Sequence, residues 1–431
     1  MTDAVKKIAW ILLWTTLALA CRVSLYDPYF QAAEKYFVSG AFNDAIRMYY
    51  MAIEENKNRP EAYFGLAMAY YEIGYLEEAQ FAFEKTLEKD PLNVLAIERL
   101  AAVNIDLGNP DTAAYLCRLV RAMEPGFVPA LNTLGHACFA LGQVDSAQAA
   151  FSAALSSSRE HQQISVANSN PRSFASDAAE ALNGLGEVEM SRGLYAHALD
   201  YFGAAISGMP NWDTPWFNKA LAYEALGNYP AAQVAYQRTI DLAPRNVVAM
   251  RSYARLLSRR GKETEALDLY LLALKADPSD KHSYYGLADI YERRGEYEKA
   301  AEAYRGVLDV APDDPIGYVR AGRLDLRLAK YDDTLEMFRS ALDLDPASAE
   351  SLNGTGEALR AKGSLAEAQS AFEKAIRTDS TFAKAFTNLG ALLLDSNRID
   401  EGISHLKKAA RLGDLNAREM LRARGFEAEI R

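Results

Sequence analysis

What this chain has little of narrows it first. Its 431 residues hold three cysteines, Cys21, Cys117 and Cys138, and five histidines. Three thiols make no disulfide framework, and with no CxxC and no Cys/His cluster they make no zinc site. The histidines, His136, His161, His197, His282 and His405, never fall at ligand spacing. Signatures of phosphate binding and nucleophilic catalysis are missing too. Gly261-Lys262-Glu263 lacks the hydroxyl residue that completes a P-loop, and there is no HExxH or GxSxG. Gly354-Thr355-Gly356 opens like a dinucleotide loop but has neither the third glycine nor a preceding strand, so helix packing is the better account. No metal, cofactor, small-molecule substrate or catalytic group is expected. Positive charge is outnumbered, with 47 Lys and Arg against 58 Asp and Glu and a net charge of −11. That balance gives no bulk attraction to nucleic acid or anionic lipid. β-Branched runs are scarce while Ala and Leu abound, which favours helix.

What is present is a period. A small residue recurs every 34 positions at Ala45, Ala79, Ala113 and Ala147, and again at Ala198, Ala232, Ala266 and Ala300, with Thr334, Ala368 and Gly402 continuing the count. Fifth residues of the same phase move in step: an aromatic follows at Tyr49, Phe83, Phe151, Phe202, Tyr236, Tyr270, Tyr304, Phe338 and Phe372. Glycine precedes the small slot at Gly40, Gly74, Gly108, Gly142, Gly193, Gly227, Gly261, Gly295 and Gly363, and proline follows at Pro91, Pro125, Pro210, Pro244, Pro278, Pro312 and Pro346. Glycine supplies a left-handed helix cap and proline stops a helix, so each unit is a helix, a turn and a second helix. Small residues let the two helices touch, and aromatics fill the wedge to the next unit.

A 34-residue helix–turn–helix with these columns resembles the tetratricopeptide repeat. Eleven copies begin at Tyr26, Pro60, Val94, Val128, Ala179, Asp213, Val247, Lys281, Pro315, Ala349 and Ala383. The resemblance implies an all-α, right-handed superhelical solenoid, with repeats one to four in 26–155 and five to eleven in 179–416. Between them, 156–178 is rich in serine and reads as a flexible insertion loop. Residues 415–431 form a capping helix, Leu415–Arg424, and a tail. Ala329 and Asn397 replace the turn glycine and Gly402 the alanine, so the late repeats are expected to fray more. Cys117 and Cys138 fall in core columns as small hydrophobes, with a disulfide between them left open.

The first residues follow another rule. Lys6 and Lys7 precede an apolar run from Ile8 to Ala20, too short to span a bilayer but the length of a secretory signal core. Ala18 and Ala20 suit cleavage before Cys21. This resembles the lipobox of bacterial lipoproteins, although Ala18 stands where that family has leucine. The resemblance implies a signal peptide at 1–20, lipid on Cys21, a short tether at 21–25 and an envelope location. A soluble periplasmic protein, a single N-terminal membrane anchor and a cytosolic adaptor with an uncleaved hydrophobic N-terminus remain alternatives.

In the repeat family the first helix of each unit lines an inner groove through its second, fifth, ninth and twelfth positions. Phe30, Glu34, Phe64 and Tyr71 make an acidic and aromatic footing near the amino end. Signs alternate at the ninth position through Arg255, Asp289, Arg323 and Glu357, which predicts a ladder of ion pairs between repeats. That leaves Arg251, Arg259, Arg327 and Arg360 as partner-contact candidates. The expected function is a non-enzymatic scaffold for protein or peptide partners. The alternative is a non-catalytic subunit of an envelope enzyme or of a secretion or assembly complex.

Overall fold

The computed structural model describes the backbone of residues 27–164 and 171–426, and the side chains of these except 161–175. Cys21 and the apolar run before it lie outside the described residues. The chain packs as two compact units, Met1–Ala235 and Tyr236–Arg431. Every element described is an α-helix, and the helices follow one another as antiparallel pairs. First helices start at Pro60, Val94, Val128, Asp213, Val247, Lys281, Pro315, Ala349 and Ala383, the residues at which the period places them. The exceptions have prolines as their cause: the first helix opens at Pro28 and the fifth at Pro171, since proline is pre-shaped for a helix's first turn.

That second exception corrects the insertion. Residues 156–164 extend the helix Val144–Ile164, and 171–178 belong to the helix Pro171–Ser191. Ser and Gln are only mild helix opponents, and each stretch propagates from a helix already nucleated by packing.

The columns do what their chemistry requires. The alanines of the small slot, such as Ala45, Ala113, Ala232 and Ala300, are fully buried. Tyr49, Phe83, Phe151 and Phe202 in the first unit, and Tyr236, Tyr304, Phe338 and Phe372 in the second, expose 1% or less. Each such side chain contributes roughly 1.5–3 kcal/mol by leaving water. The late departures are accommodated. Thr334 returns its hydroxyl to the Lys330 carbonyl at 2.8 Å. Gly402 meets Gly390, and a Cβ built on Gly402 would stand 2.9 Å from the Gly390 carbonyl oxygen. Two glycines therefore let these helices approach closely where alanine does elsewhere. Ala329 and Asn397 do take the glycine conformation, with φ of 59° and 60°.

The capping helix runs Leu415–Arg422, with the Asp414 carboxylate accepting from the Ala417 amide at 2.7 Å and Leu421 fully buried. Cys117 and Cys138 are both free and buried, and burial pushes the Cys117 thiol up to about 12. Among the described residues no helix is long and apolar enough to cross a membrane.

Candidate functional site

The amino-terminal candidates share a face and are already engaged there. The Phe30 ring meets Tyr49 edge-on at 6.0 Å, under the Arg59 guanidinium 3.9 Å away. Glu34 accepts from the Tyr49 hydroxyl at 2.5 Å. Phe64 packs edge-on against Phe83 at 5.6 Å, and the Tyr71 hydroxyl donates to Asp106 at 2.8 Å.

The ion pairs differ from the alternating ladder. Asp289 pairs with Arg320 at 2.8 Å, Arg323 with Glu350 at 2.9 Å, and Glu357 with Lys384 at 2.8 Å. In these three pairs the ninth position meets the second or sixth position of the next repeat. The reason is geometric: side chains lean toward their helix's N-terminus, so a long partner starting nearer that end reaches across. Three of the four arginines read as unpaired are also paired. Arg251 bonds Asp280 at 2.6 Å, Arg327 stands 3.6 Å from Glu292, and Arg360 bonds Asp395 at 2.5 Å. Arg255 and Arg259 have interactions of their own. Most of these pairs are solvent-exposed, so each contributes roughly 0–1 kcal/mol and exchanges readily.

One arrangement escaped the position-by-position reading. Asn353 donates to Glu357 at 2.7 Å, and Asn388 of the next repeat donates to both Asn353, at 2.9 Å, and Glu357, at 2.8 Å. The same three bonds recur in the first unit: Asn183 to Glu187 at 2.8 Å, and Asn218 to Asn183 and Glu187 at 3.0 and 2.9 Å. The signal was in the sequence, since Leu182-Asn183-Gly184-Leu185-Gly186-Glu187 matches Leu352-Asn353-Gly354-Thr355-Gly356-Glu357 five repeats later. The glycines are packing residues. A Cβ on Gly354 would stand 2.2 Å from the Phe338 ring, and one on Gly356 2.5 Å from Phe372. Their absence of side chain lets the aromatics lie beneath the polar network.

In the second unit this network walls a cleft of 390 Å³ across three successive first helices. Arg323, Arg327, Glu350, Asn353, Glu357 and Lys384 line it, with Phe338 at its base. The cations are the more exposed: Arg323, Arg327 and Lys384 show 57%, 58% and 52% of their side chains, against 24% for Glu357. In the first unit the corresponding positions are His136, Ala140 and Thr214. There His136 stands 3.5 Å from Glu180, the counterpart of Arg323 and Glu350. Burial lowers the His136 imidazole, but Glu180 outweighs it, and the pKa ends raised. Beside it, Glu98 is 2% exposed and its pKa is raised by burial. One Glu98 oxygen accepts from Thr133 at 2.8 Å. The other faces Arg99 at 3.3 Å without a hydrogen bond.

Known proteins agree with this architecture. A family model described as tetratricopeptide repeat matches residues 217–281, 273–315 and 319–383, and a second of the same description matches 37–102 and 104–165. The chain is 24% identical over 262 residues to the Protein CTR9 homolog of Arabidopsis thaliana, covering 59% of this chain and 23% of that protein. It is 21% identical over 309 residues to a TPR repeat-containing protein of Methanocaldococcus jannaschii, covering 63% and 53%. For BBSome complex member BBS4 of Bos taurus the identity is 24% over 242 residues, covering 56% and 43%. The chain thus spans from 23% to 53% of the length of these relatives. Among solved structures, yeast Tom70 is similar at 17% identity and a TM-score of 0.38, over 93% of this chain and 94% of that one. YrrB, described as a TPR protein with an unusual peptide-binding site, is similar at 24% and 0.37, over 44% and 97%. With in-phase helix pairs along both units and repeat models matching in each, this chain belongs to the tetratricopeptide repeat family.

Proposed function

We propose that the chain is a non-catalytic scaffold that holds an acidic segment of a partner protein in the cleft of the second unit. The observation that carries this is the set of three exposed cations, Arg323, Arg327 and Lys384, over the Phe338 base. Their present partners are weak surface pairs, which a carboxylate-bearing peptide displaces at little cost. Asn353 and Asn388 hold Glu357 in place, and Glu357 in turn positions Lys384 at 2.8 Å. The partner's charge speeds its encounter, and the half-buried Leu326 and Phe382 in the lining offer apolar contact.

Labelled acidic and basic dodecapeptides with the same apolar residues test this by anisotropy. The acidic series should bind more tightly, and Arg327→Glu with Lys384→Glu should weaken it tenfold or more without a change in melting. Equal binding of both series by the wild-type chain would overturn the reading.

The same reading tethers the scaffold to a bacterial envelope through Cys21. It is supported by the Ile8–Ala20 run and by Ala18 and Ala20 before the cysteine. Mass spectrometry of the mature protein should find acylated Cys21 and no residues 1–20. An intact Met1 end would remove the tether and leave the cleft untouched.

A further inference from the structure

The helix Pro60–Glu72 has a second apolar face. Phe64 and Tyr71 lie on the face already described. Tyr63, Leu66 and Tyr70 lie on the other side and floor a separate cleft of 300 Å³. Its walls are Tyr50 and Phe81, on the second helices of the first and second repeats, and Glu77 and Glu78 stand at its rim. Tyr50 is 48% exposed and Phe81 60%.

The other repeats serve as an internal control. At the position of Phe81 they carry Arg47, Tyr115, Ala149, Asp200, Val234, Asp268, Glu302, Glu336, Ser370 and Ser404. At the position of Tyr50 they carry Glu84, Arg118, Ser152, Gly203, Gln237, Leu271, Arg305, Arg339, Glu373 and Lys407. Eleven of these twenty places are charged and Tyr115 is the one other aromatic, so the fold does not need an aromatic at either place. Between successive repeats, Tyr50 with Phe81 is the one pairing that is large and apolar at both places, and the two converge on one cavity, which calls for a cause outside the fold.

The walls are also set for contact. The Tyr50 and Tyr70 hydroxyls bond each other at 2.9 Å, and the Tyr70 ring stacks on Tyr75 at 6.2 Å. One of the two hydroxyls thus donates to the other, and the rest of the lining is mostly apolar. Rings with two torsions lose little entropy on binding. Around them stand two acids and one cation, Lys85, whose ammonium lies 5.3 Å from the Phe81 ring centroid. Glu77 and Glu78 occupy the first turn of the helix Leu76–Lys89, and neither has a basic partner among the described residues. The nearby cations are committed, Arg47 to Asp44 and Lys85 to Glu88.

We propose that this outward cleft of the first two repeats is a second docking site, for a partner segment that inserts an apolar side chain flanked by Lys or Arg. The anchor fills the cavity between Tyr50, Leu66 and Phe81, and the flanking cation reaches Glu77 or Glu78. The cavity is at the small end for a ligand site, which fits one side chain rather than a cofactor.

The test uses the full chain and three labelled dodecapeptides. One carries a Leu-Phe pair flanked by Arg, one the same pair flanked by Glu, and one Ser-Ser flanked by Arg. The first should bind at least tenfold more tightly than the other two. Phe81→Ser, and separately Glu77→Lys with Glu78→Lys, should each lose at least tenfold, while Val234→Ser, in the Phe81 column of the sixth repeat and 68% exposed, should lose nothing. Phe81 is mostly exposed, so its replacement should leave the melting curve in place; the Glu pair decides the matter if it does not. Equal binding of the three peptides overturns the proposal, as does binding that survives the Glu77/Glu78 variant. Sedimentation showing a dimer that Phe81→Ser dissolves would also overturn it, by assigning the cleft to a second copy.

Discussion

The two Asn–Glu–Asn networks are one piece of structure used twice. Asn183, Glu187 and Asn218 hold the same three bonds as Asn353, Glu357 and Asn388, over glycines that admit the same aromatics. Their neighbours differ. Arg323, Arg327 and Lys384 surround the second, where the first has His136, Ala140 and Thr214. A repeat's backbone thus reproduces a polar wall at little cost, and three column residues decide what the wall attracts. The first wall is pH-sensitive and backed by buried Glu98; the second carries fixed positive charge.

The largest expected effects test the shared part. Gly354→Ala drives a methyl into Phe338, and Gly184→Ala drives one into Phe151. Each should cost roughly 1–3 kcal/mol by overpacking. Hydrogen exchange should rise mainly in the helices flanking the substituted repeat, because contacts in such arrays run to neighbours. A loss spread evenly through both units would deny that the networks are local modules.

Next comes the acid behind the first wall. The folded-state pKa of Glu98 is raised, so its contribution is complete below the unfolded carboxylate value and is lost as pH rises through the raised one. At neutral pH the buried charge is a penalty. Glu98→Gln keeps an acceptor for Thr133 and should raise melting at pH 7 by ~2–4 °C, the shift that about 1 kcal/mol gives in a domain of this size. The gain should vanish near pH 4, and a gain that grows toward acid would reverse the sign of the argument.

The turns beside the walls differ too. Gly142 has φ of 71° and its counterpart Ala329 has 59°. Alanine is strained there, so Ala329→Gly should stabilise the ninth repeat by roughly 0.5–1 kcal/mol, read by urea denaturation. Asn397→Gly should gain less, since asparagine tolerates that region.

The smallest effect separates histidine from arginine. The raised His136 pKa means its pair with Glu180 is present below the ordinary imidazole value and is lost as pH rises through the raised one. His136→Arg should flatten that part of the pH dependence by less than ~1 kcal/mol, because both side chains are about a third exposed. Arg323–Glu350 should show no such step between pH 6 and 8.

These contrasts also mark what was readable from sequence. Helix starts were legible because proline, glycine and small residues act through the local backbone, and nine first helices begin where the period puts them. The insertion was misread because composition alone cannot see that Ile164 and Pro171 sit on helices already anchored in the stack. Ion pairing was missed by a shift of position, since the lean of a side chain along its helix is not written in sequence spacing. The bonds of Asn218 and Asn388 follow no single column, because their partners Asn183 and Asn353 lie in a different column of the preceding repeat. The outward cleft went unseen for a related reason: Tyr50 and Phe81 converge only when two second helices are packed side by side.

The most direct test exchanges the column residues between the walls in the full chain. Arg327→Ala with Lys384→Thr should reduce binding of an acidic dodecapeptide at least tenfold. His136→Arg, Ala140→Arg and Thr214→Lys together should create a second site and raise the calorimetric stoichiometry from one to two. If the first variant binds as the wild type does and the second still binds one peptide, the cleft cations do not define the binding surface.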